Sequence, residues 1–250
     1  MGLEIITYQQ FAATDHTLSH GTFARGGGIS CAPYDSLNLS YGVGDDPGKV
    51  AENRRRVRAA LGLRALVSCR QVHGTGIYLL REPVTADLEL AGYDALISPW
   101  PQVGLLIQQA DCQAVMLHDP RLGVAANIHV GWRGSVANII ARVLALMVAE
   151  FGCRPREMAA AISPSLGPCC AEFINYRQEL PLEFHGYRLG TNHFDFWAIS
   201  RDQLRQEGVP DHHIETAGIC TRCNPNYFSY RRDGLCGRNA SVIAPRTFSA

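Results

Sequence analysis

The sequence predicts an α/β fold in which helices flank a mixed β-sheet, formed as a single domain over residues 1–250. Two apolar patterns point to this class: short apolar runs typical of buried strands, and longer segments with the 3.6-residue period of core-facing helices. Strands and helices follow one another without strict alternation, and hairpins occur among them, which favours a mixed sheet. At 250 residues and 46% hydrophobic composition, the chain can bury a substantial core.

The first third of the chain predicts a long ordered loop, one helix and two strands. Turn-forming residues dominate the segment GGGISCAPYDSLNLSYGVGDDPG. Asp46 is a favourable N-cap with Pro47 at the first helical position, and the helix that they begin should end at Gly62. Strands are expected at residues 66–69 and 76–80.

The middle third predicts three short strands followed by a core-facing helix. The strands are expected at residues 104–107, 114–117 and 124–130. After the turn Gly131-Trp132-Arg133-Gly134, Ser135 is a candidate N-cap, and Gly152 is a stop signal. Between them, apolar residues recur at the i, i+3, i+4, i+7 spacing of a helix with one buried face: Val136, Ile139, Ile140, Val143, Leu144, Met147, Val148 and Phe151.

The last third predicts a strand at residues 159–162, then a turn and a helix from Cys169. A second helix is expected at residues 195–207, because Gly208 follows it as a stop signal. The segment 214–220 is interpreted as a further strand.

Composition narrows the classes of function. The 23 basic residues balance 23 acidic ones, which disfavours nucleic acid as a partner, because phosphate binding normally needs net positive charge. No apolar run approaches the roughly 20 residues that cross a bilayer, so no membrane partner is expected. The first residues lack a basic segment followed by an apolar one, and nine cysteines suggest no disulfide framework. We therefore expect a cytoplasmic protein with reduced thiols.

A cysteine and a histidine flank the hairpin predicted between residues 112 and 129. If the turn Asp119-Pro120-Arg121-Leu122 lies at its centre, Cys112 and His129 are direct cross-strand neighbours with Cβ atoms about 4.5–5.5 Å apart. They could share a zinc ion, act as nucleophile and base, or pack as a buried thiol beside a hydrogen-bonded histidine. His73, in a glycine-containing turn, is a third candidate ligand.

Several motifs together give the chain a family resemblance. They are QVHG (71–74), ADC (110–112), HVGWRG (129–134) and FSYRR (228–232), with the N-terminal segments HGTFARGGGISCAPYDSLNL and GDDPGKVAENRRRV. The set resembles the YfiH-like, laccase-domain family, which is also described as multicopper polyphenol oxidase, peptidoglycan editing factor and purine nucleoside phosphorylase. The matching segments lie between residues 20 and 243, so the resemblance spans nearly the whole chain.

The resemblance implies a single α/β domain whose catalytic zinc is held by His73, Cys112 and His129. It implies phosphorolysis of adenosine, inosine, guanosine and methylthioadenosine, together with deamination of adenosine. Purine nucleosides and phosphate are therefore the expected small-molecule partners. Four departures from the family's usual residues leave these ligands intact and bear on substrate preference: Gln109, Gln113, Ser163 and Ala171.

Candidate substrate residues follow from charge and position. Arg133 is the first candidate for binding phosphate, because it lies at the start of a predicted helix, where anions are favoured. Arg232 is the second, and Asn38 in the N-terminal segment is a further substrate- or phosphate-binding candidate. Glu172 and Asp111 are candidate proton-transfer groups.

The remaining cysteines favour structural interpretations. Cys220 and Cys223 have zinc-knuckle or redox spacing, but a structural zinc site needs a second pair of ligands, and Cys236 is the only nearby downstream thiol. The adjacent Cys169 and Cys170 are expected to pack in the core rather than point at one site.

Copper and RNA chemistry are not expected. The chain has nine histidines and no His-x-His pair, too few for a multicopper laccase. His212-His213 is interpreted as part of a solvated loop. Arg231-Arg232 beside Tyr230 could stack on RNA, but zero net charge favours substrate phosphate or salt bridging.

Three functions stay open from the sequence. The preferred hypothesis is a zinc-dependent enzyme acting on purine nucleosides, because three protein ligands with an open fourth position are the catalytic pattern for zinc. The alternative is a cysteine hydrolase that attacks an amide, such as a peptidoglycan precursor, with Cys112 as nucleophile and His129 as base. The third is a zinc-bound interaction module without activity.

Overall fold

The strands of the computed structural model, which describes residues 2–14 and 17–246, form two six-stranded sheets and a two-stranded ribbon. Met1, residues 15–16 and residues 247–250 of the predicted domain lie outside this description. The predicted α/β class with mixed strand directions is confirmed, although the strands divide between two sheets and the sequence predicts one. The long strands are buried along their whole length, so a second sheet covers the face that helices leave free.

The described strands, in chain order, are β1 (Ile5–Ile6), β2 (Leu18–Phe23), β3 (Ala65–Arg70), β4 (Ile77–Leu79), β5 (Leu88–Ala91), β6 (Ala95–Ser98), β7 (Val103–Gln109), β8 (Gln113–Asp119), β9 (Val124–Val130), β10 (Ala159–Ile162), β11 (Arg188–Leu189), β12 (His193–Phe194), β13 (Ile214–Thr216) and β14 (Asn239–Pro245). The first sheet has the order β1-β2-β14-β7-β3-β5, and the second has the order β13-β10-β8-β9-β6-β4. Each contains parallel and antiparallel pairs: β3 lies parallel to β7, and β8 lies antiparallel to β9.

The described α-helices are α1 (Pro47–Ala60), α2 (Trp132–Val136), α3 (Ile139–Phe151), α4 (Tyr176–Glu179), α5 (Phe196–Gln206) and α6 (Tyr230–Asp233). Short 3₁₀ turns occupy Gln9–Thr14, Tyr41–Val43, Pro155–Glu157, Leu182–Tyr187 and Asp211–His213. Within the described ranges, no helix combines the length and the apolar character that a membrane span requires.

Alternating side chains sort the core into layers. Between the sheets, Leu105 and Ile107 of β7 pack with Met116 of β8 and Ala125 of β9. The other face of the second sheet carries α3 and α5, and the other face of the first sheet carries α1. The order of layers is therefore helix, sheet, sheet, helix, and each buried Leu or Ile contributes about 1.5–3 kcal/mol.

A buried asparagine joins the two sheets. Asn127 of β9 donates to the carbonyl oxygens of Leu105 at 2.8 Å and of Ser241 at 2.9 Å, both in the first sheet. Because side chains alternate along a strand, His129 lies on the same face of β9 and points into the layer between the sheets. His129 is the penultimate residue of β9, so it lies at one end of this layer.

Several predicted boundaries are confirmed. Strands β9 and β10 have the predicted bounds, and Pro47 begins α1 behind the Asp46 cap, whose carboxylate accepts from Gly48 N at 2.7 Å. Helix α5 begins after Asp195, which accepts from Ala198 N at 2.9 Å.

The helix predicted to begin at Ser135 is divided in two, so its predicted N-cap is wrong. Ser135 is buried within α2. Asn138, with a left-handed φ of 48°, follows α2 and caps α3 by accepting from Ala141 N. Gly152 ends α3 as predicted.

Two predictions near the chemistry-bearing loops are also wrong. Residues 168–170 form a single turn, in which Cys170 N and Ala171 N donate to Gly167 O, and the next helix begins at Tyr176. Strand β13 ends at Thr216 because Gly218, at φ 65°, turns the chain. Cys220 then forms an isolated bridge with Ser165.

Candidate metal centre and ligand cavity

Three segments bring the predicted ligands together at one end of the layer between the sheets. His73 lies in the turn after β3, Cys112 in the connection from β7 to β8, and His129 near the end of β9. His73 and Asp111, which precedes Cys112, have φ values of 58° and 87°. Non-glycine residues rarely adopt positive φ, and such backbone persists where its surroundings fix it, often at functional sites.

The direct pairing of Cys112 with His129 predicted from the hairpin is wrong. His129 faces Ala114, because the residues between the paired ends are 120–123 rather than 119–122. The shift preserves the face on which Cys112 lies, since side chains alternate with a period of two. A Cβ atom at Gly131 would lie 3.1 Å from both Cys112 Sγ and His73 Cδ2, so glycine there leaves the space in which the three side chains meet.

The ligand atoms of His73, Cys112 and His129 lie within 4.8 Å of one another. His73 Nε2 is 3.9 Å from Cys112 Sγ, and the two imidazole rings meet edge to face with centroids 4.8 Å apart. His129 is buried, whereas His73 is exposed, so the group opens on one side. The three donors can hold one metal ion and leave a coordination position open.

Asp94 positions two of the three candidate ligands. Its Oδ1 is 2.8 Å from Nδ1 of His129, which leaves Nε2 of that ring available. Its carboxylate also accepts the backbone N–H groups of His73 at 2.9 Å and Gly74 at 2.8 Å. Asp94 is fully buried. A carboxylate behind a ligating histidine fixes the tautomer and raises the basicity of the ring.

Neighbouring charges favour the thiolate of Cys112. Burial alone would raise the pKa of Cys112, but His129 and then His73 lower it to about 6. Burial likewise opposes protonation of His129, yet the Cys112 thiolate and Asp94 raise its pKa to about 9. The lowered pKa of Cys112 favours its thiolate, the form that binds metal and attacks electrophiles.

A cavity of about 470 Å³ adjoins the three candidate ligands. Its volume falls within the range of small-molecule sites. Aromatic side chains form much of the apolar lining, and Phe173 and Phe196 pack with ring centroids 5.1 Å apart. Polar lining includes three arginines, Arg70, Arg231 and Arg238, and the carboxylate of Glu89. The cavity can accept a ligand with both a flat apolar part and a negatively charged part.

The structure does not bring the two predicted phosphate arginines to the cavity. Arg133 is exposed and stacks on Trp132, with Cζ 4.3 Å from the ring centroid. Arg232 donates to the carbonyl oxygens of Thr221 and Tyr227 and pairs with Asp233 at 2.8 Å. Its hydrogen-bonding capacity serves the loop that carries it, and its role in binding phosphate stays a prediction.

Asn38 is a structural residue of the N-terminal loop rather than a cavity residue. It is fully buried, donates to Ser40 O at 3.1 Å and to Asp45 Oδ2 at 2.9 Å, and accepts from Arg238 N at 3.0 Å. Because Ser40 and Arg238 line the cavity, Asn38 acts on the site by holding its wall.

The predicted proton-transfer groups are otherwise engaged or distant. Asp111 lines the cavity, but Thr221 Oγ1 donates to its Oδ1 at 2.7 Å and Arg231 N donates to its Oδ2 at 2.6 Å. Glu172 is exposed and is not among the residues that line the cavity.

Sequence reasoning missed Arg70 and Arg238 as cavity residues. Arg70 ends β3 and Arg238 precedes β14, and the strand order places these ends at the same edge of the first sheet. Among the described residues, no carboxylate pairs with either side chain. The sequence signal was their position beside QVHG and at the start of the last strand, but only the strand order shows that these positions meet.

The four departures from the family's usual residues lie at or near the cavity. Gln109 and Ser163 contact each other, because Gln109 Nε2 donates to Ser163 Oγ at 2.9 Å. Gln113 donates to Phe196 O at 2.8 Å, and Ala171 lines the cavity. All four side chains thus contact the cavity wall or one another.

The prediction that Cys169 and Cys170 pack separately is wrong. Their Sγ atoms lie 3.7 and 3.5 Å from Sγ of Cys223. With Cys220 they form a group of four thiols whose sulfur atoms all lie within 4.8 Å of one another, which we call the tetracysteine cluster. Cys236 is buried outside it.

The other chemistry-bearing residues occupy more ordinary places. His212 is exposed, and His213 Nδ1 lies 3.1 Å from Met158 O, in the short loop turn 211–213. Tyr230 and Arg231 line the cavity, and Arg231 donates to the carbonyl oxygens of Cys170 and Glu172 at 3.3 Å.

Comparisons with known proteins agree on one family. A family profile described as multi-copper polyphenol oxidoreductase laccase matches residues 19–246. A purine nucleoside phosphorylase of Mycobacterium tuberculosis is 35% identical over 229 residues, covering 89% of this chain and 90% of the relative. A purine nucleoside phosphorylase of Deinococcus radiodurans is 35% identical over 245 residues, covering 92% and 90%.

Solved structures share the whole fold. YlmD from Geobacillus stearothermophilus superposes with a TM-score of 0.85 at 30% identity and covers 99% of this chain and 97% of its own. The YfiH protein of Bacillus licheniformis gives a TM-score of 0.86 at 26% identity, with 96% of both chains covered.

Proposed function

The chain belongs to the multi-copper polyphenol oxidoreductase laccase family, and from this premise we propose that it is a zinc-dependent purine nucleoside phosphorylase that also deaminates adenosine. The observation that carries the proposal is the position of three metal-ligating side chains at the wall of a cavity sized for a nucleoside. Adenosine, inosine, guanosine and methylthioadenosine are the proposed substrates. The relatives' names support the phosphorolytic activity.

Zinc fits the donor set better than copper. His73, Cys112 and His129 supply two imidazoles and a thiolate, which suit zinc, and the exposed side leaves a coordination position free. Blue-copper centres use similar donors but add an axial ligand, usually methionine, and no methionine of the described residues lines this cavity. When bound, zinc would supply a Lewis acid that polarises an oxygen atom of the substrate or of water.

Different residues of the cavity wall would contact different parts of the substrates. Trp132, Phe173 and Phe196 offer ring faces and edges to the purine, because aromatic stacking is favourable for flat bases. Arg70 offers its guanidinium group to phosphate, and Arg238, whose Nη1 donates to Cys236 O and Gly237 O, offers its remaining N–H groups. In phosphorolysis a phosphate oxygen bonds to C1′ of the ribose, and the bond from C1′ to the purine nitrogen breaks. Its electron pair leaves with the base, which takes up a proton, and ribose 1-phosphate remains.

We also propose that the chain is one domain. Asn127 hydrogen-bonds across the two sheets, and one layer of buried side chains fills the space between them. The family profile and the structural relatives span nearly the whole chain.

Product analysis tests the function. With adenosine and phosphate, the zinc-loaded protein should release adenine and ribose 1-phosphate, because phosphate is a co-substrate. Without phosphate, adenine release should stop while inosine continues to form, because deamination consumes water. Liquid chromatography of the purines measures both. If neither adenine nor inosine forms, and inosine, guanosine and methylthioadenosine are also unchanged, the proposed function is wrong.

Replacement of Arg70 tests the phosphate site. Arg70→Ala should raise the phosphate KM by about ten- to a hundredfold, since a hydrogen bond to a charged group contributes roughly 1.5–3 kcal/mol. Initial rates at varied phosphate concentration measure the change. Arg133→Ala is the comparison variant, because Arg133 is exposed and does not line the cavity, although the Trp132 ring on which it stacks does. If the phosphate KM rises only in Arg133→Ala, phosphate binds at the start of α2 and not at Arg70.

A second candidate function rests on the chain of contacts from Cys112 to His129 to Asp94. A thiolate beside an imidazole that a carboxylate orients is also the arrangement of a cysteine hydrolase. In such an enzyme Cys112 Sγ would bond to the amide carbon, the C–N bond would break, and the amine would leave with a proton from His129. Water would then hydrolyse the thioester and restore the thiol. Chelation distinguishes the two functions: it should abolish nucleoside turnover by a zinc enzyme and spare or increase amide hydrolysis by a thiol enzyme.

A further inference from the structure

The tetracysteine cluster joins two loops beside the cavity. Cys169 and Cys170 lie in the turn after Gly167, and Cys220 and Cys223 lie in the loop after β13. The bridge between Ser165 and Cys220 holds the loops side by side. A Cβ atom at Gly167 would lie 2.9 Å from Cβ of Cys220, so the close approach depends on glycine.

We propose that these four thiols bind a second zinc ion, which has a structural role. In a tetrahedral zinc site with Zn–S bonds of about 2.3 Å, neighbouring sulfur atoms lie about 3.8 Å apart. The cluster matches this spacing: Sγ of Cys223 is 3.7 Å from Sγ of Cys169 and 3.5 Å from Sγ of Cys170. All four sulfur atoms lie within 4.8 Å of one another. Four protein ligands leave no open position, which is the pattern of structural rather than catalytic zinc.

Positive charge lies beside the cluster. Arg222 Nη1 lies 3.6 Å from Sγ of Cys170. This guanidinium group offsets part of the charge that four thiolates around one Zn²⁺ would leave. Metal binding would release the thiol protons to solvent, because cysteine binds zinc as the thiolate.

A zinc ion here would stabilise the wall of the cavity. Leu166 and Ala171, on either side of the Cys169–Cys170 turn, line the cavity. Thr221, between the other two cysteines, donates to Asp111 at 2.7 Å, and Asp111 precedes the candidate ligand Cys112. The second metal would thus order both loops without touching the substrate.

Zinc stoichiometry in variants tests this site separately from the cavity site. We expect about two zinc ions per wild-type chain and about one in Cys223→Ser, because three ligands of a closed structural site hold zinc poorly. Cys169→Ser, at the other exposed thiol of the cluster, is the second variant and should also retain about one. Cys31→Ser is the matched control, since Cys31 is exposed and belongs to neither candidate metal group, and it should retain about two. Elemental analysis of reduced protein purified without added metal gives the counts, and circular dichroism verifies folding.

The outcomes distinguish the cluster site from the cavity site. Loss of about one zinc in both cluster variants, with a lower melting temperature, supports the proposal whether or not nucleosides are turned over. An unchanged zinc count in both variants overturns it. So does an intact mass, measured without reductant, that is lower in the wild type than in Cys223→Ser after correction for the substitution, because that result means a disulfide rather than a metal site. If Cys112→Ala keeps all its zinc while Cys223→Ser loses it, the cluster binds zinc and the proposed cavity metal fails.

Discussion

Replacement of Cys112 by alanine is expected to remove the zinc of the cavity site and to lower adenosine phosphorolysis by more than about a hundredfold. Loss of groups that only support the ligands already costs about ten- to a hundredfold in metal affinity or activity, and Cys112 is a proposed ligand. Its thiolate is the negative charge of the donor set, and two histidines alone would leave the ion with half of a tetrahedral shell. Zinc content and the initial rate of purine release, measured on one preparation, check this expectation.

His73→Ala separates the zinc enzyme from the cysteine hydrolase. This variant removes a proposed ligand but keeps Cys112, His129 and Asp94, which suffice for a thiol nucleophile and its base. We therefore expect it to lose zinc and nucleoside turnover together.

Cys31→Ser serves as the control for replacing a cysteine in Cys112→Ala, because Cys31 is exposed and contacts Lys49. Full activity in Cys112→Ala would exclude Cys112 both as a zinc ligand and as a nucleophile.

The three candidate ligands could be predicted from the sequence, but their geometry could not. Local motifs identified His73, Cys112 and His129. Cys112 lies two residues before Ala114, the partner of His129, so alternation kept both on one face despite the wrong register. The turn type suggested by Asp119-Pro120 misplaced the centre of the hairpin by one residue. The side chain of Asp119 explains this difference, because it accepts from Arg121 N and Leu122 N while its backbone stays paired with Val124 in the ladder.

The substrate residues depended on contacts distant in sequence. The rule that helix starts attract anions selected Arg133, but α2 has five residues, and the Arg133 side chain stacks on Trp132 instead. Arg70 and Arg238 are 168 positions apart, and their meeting requires β7 to lie between β3 and β14. No local pattern encodes that order.

The tetracysteine cluster also depends on contacts distant in sequence, and here the sequence analysis missed a site. Adjacent residues of a strand or helix point apart, so Cys169 and Cys170 were expected at different sites. They lie instead in a tight turn after Gly167, where both sulfur atoms approach Cys223. The Cys-x-x-Cys spacing indicated half of a metal site, and the other half came from a loop about 50 residues earlier, as loop pairing commonly allows in structural zinc sites.

Replacement of Asp94 by asparagine is expected to weaken zinc binding and lower turnover by about ten- to a hundredfold, although Asp94 is not a ligand. The carboxylate joins the two histidine ligands: it accepts from His73 N at 2.9 Å and lies 2.8 Å from Nδ1 of His129. An amide keeps the size of the side chain but removes the charge, and its NH₂ group cannot accept the N–H groups that one carboxylate oxygen now accepts. Zinc affinity measured by competition with a chromophoric chelator should therefore fall, and excess zinc should restore part of the activity.

Asp119→Asn is the matched control for this prediction. Asp119 is also fully buried, and its carboxylate accepts three backbone N–H groups, those of Arg121, Leu122 and Arg154. Both variants should lose unfolding free energy, by about 1–3 kcal/mol for a buried group left unsatisfied. Only Asp94→Asn should lose zinc affinity, because only Asp94 contacts a proposed ligand. Equal zinc affinity in the two variants would mean that Asp94 stabilises the fold without positioning the metal site.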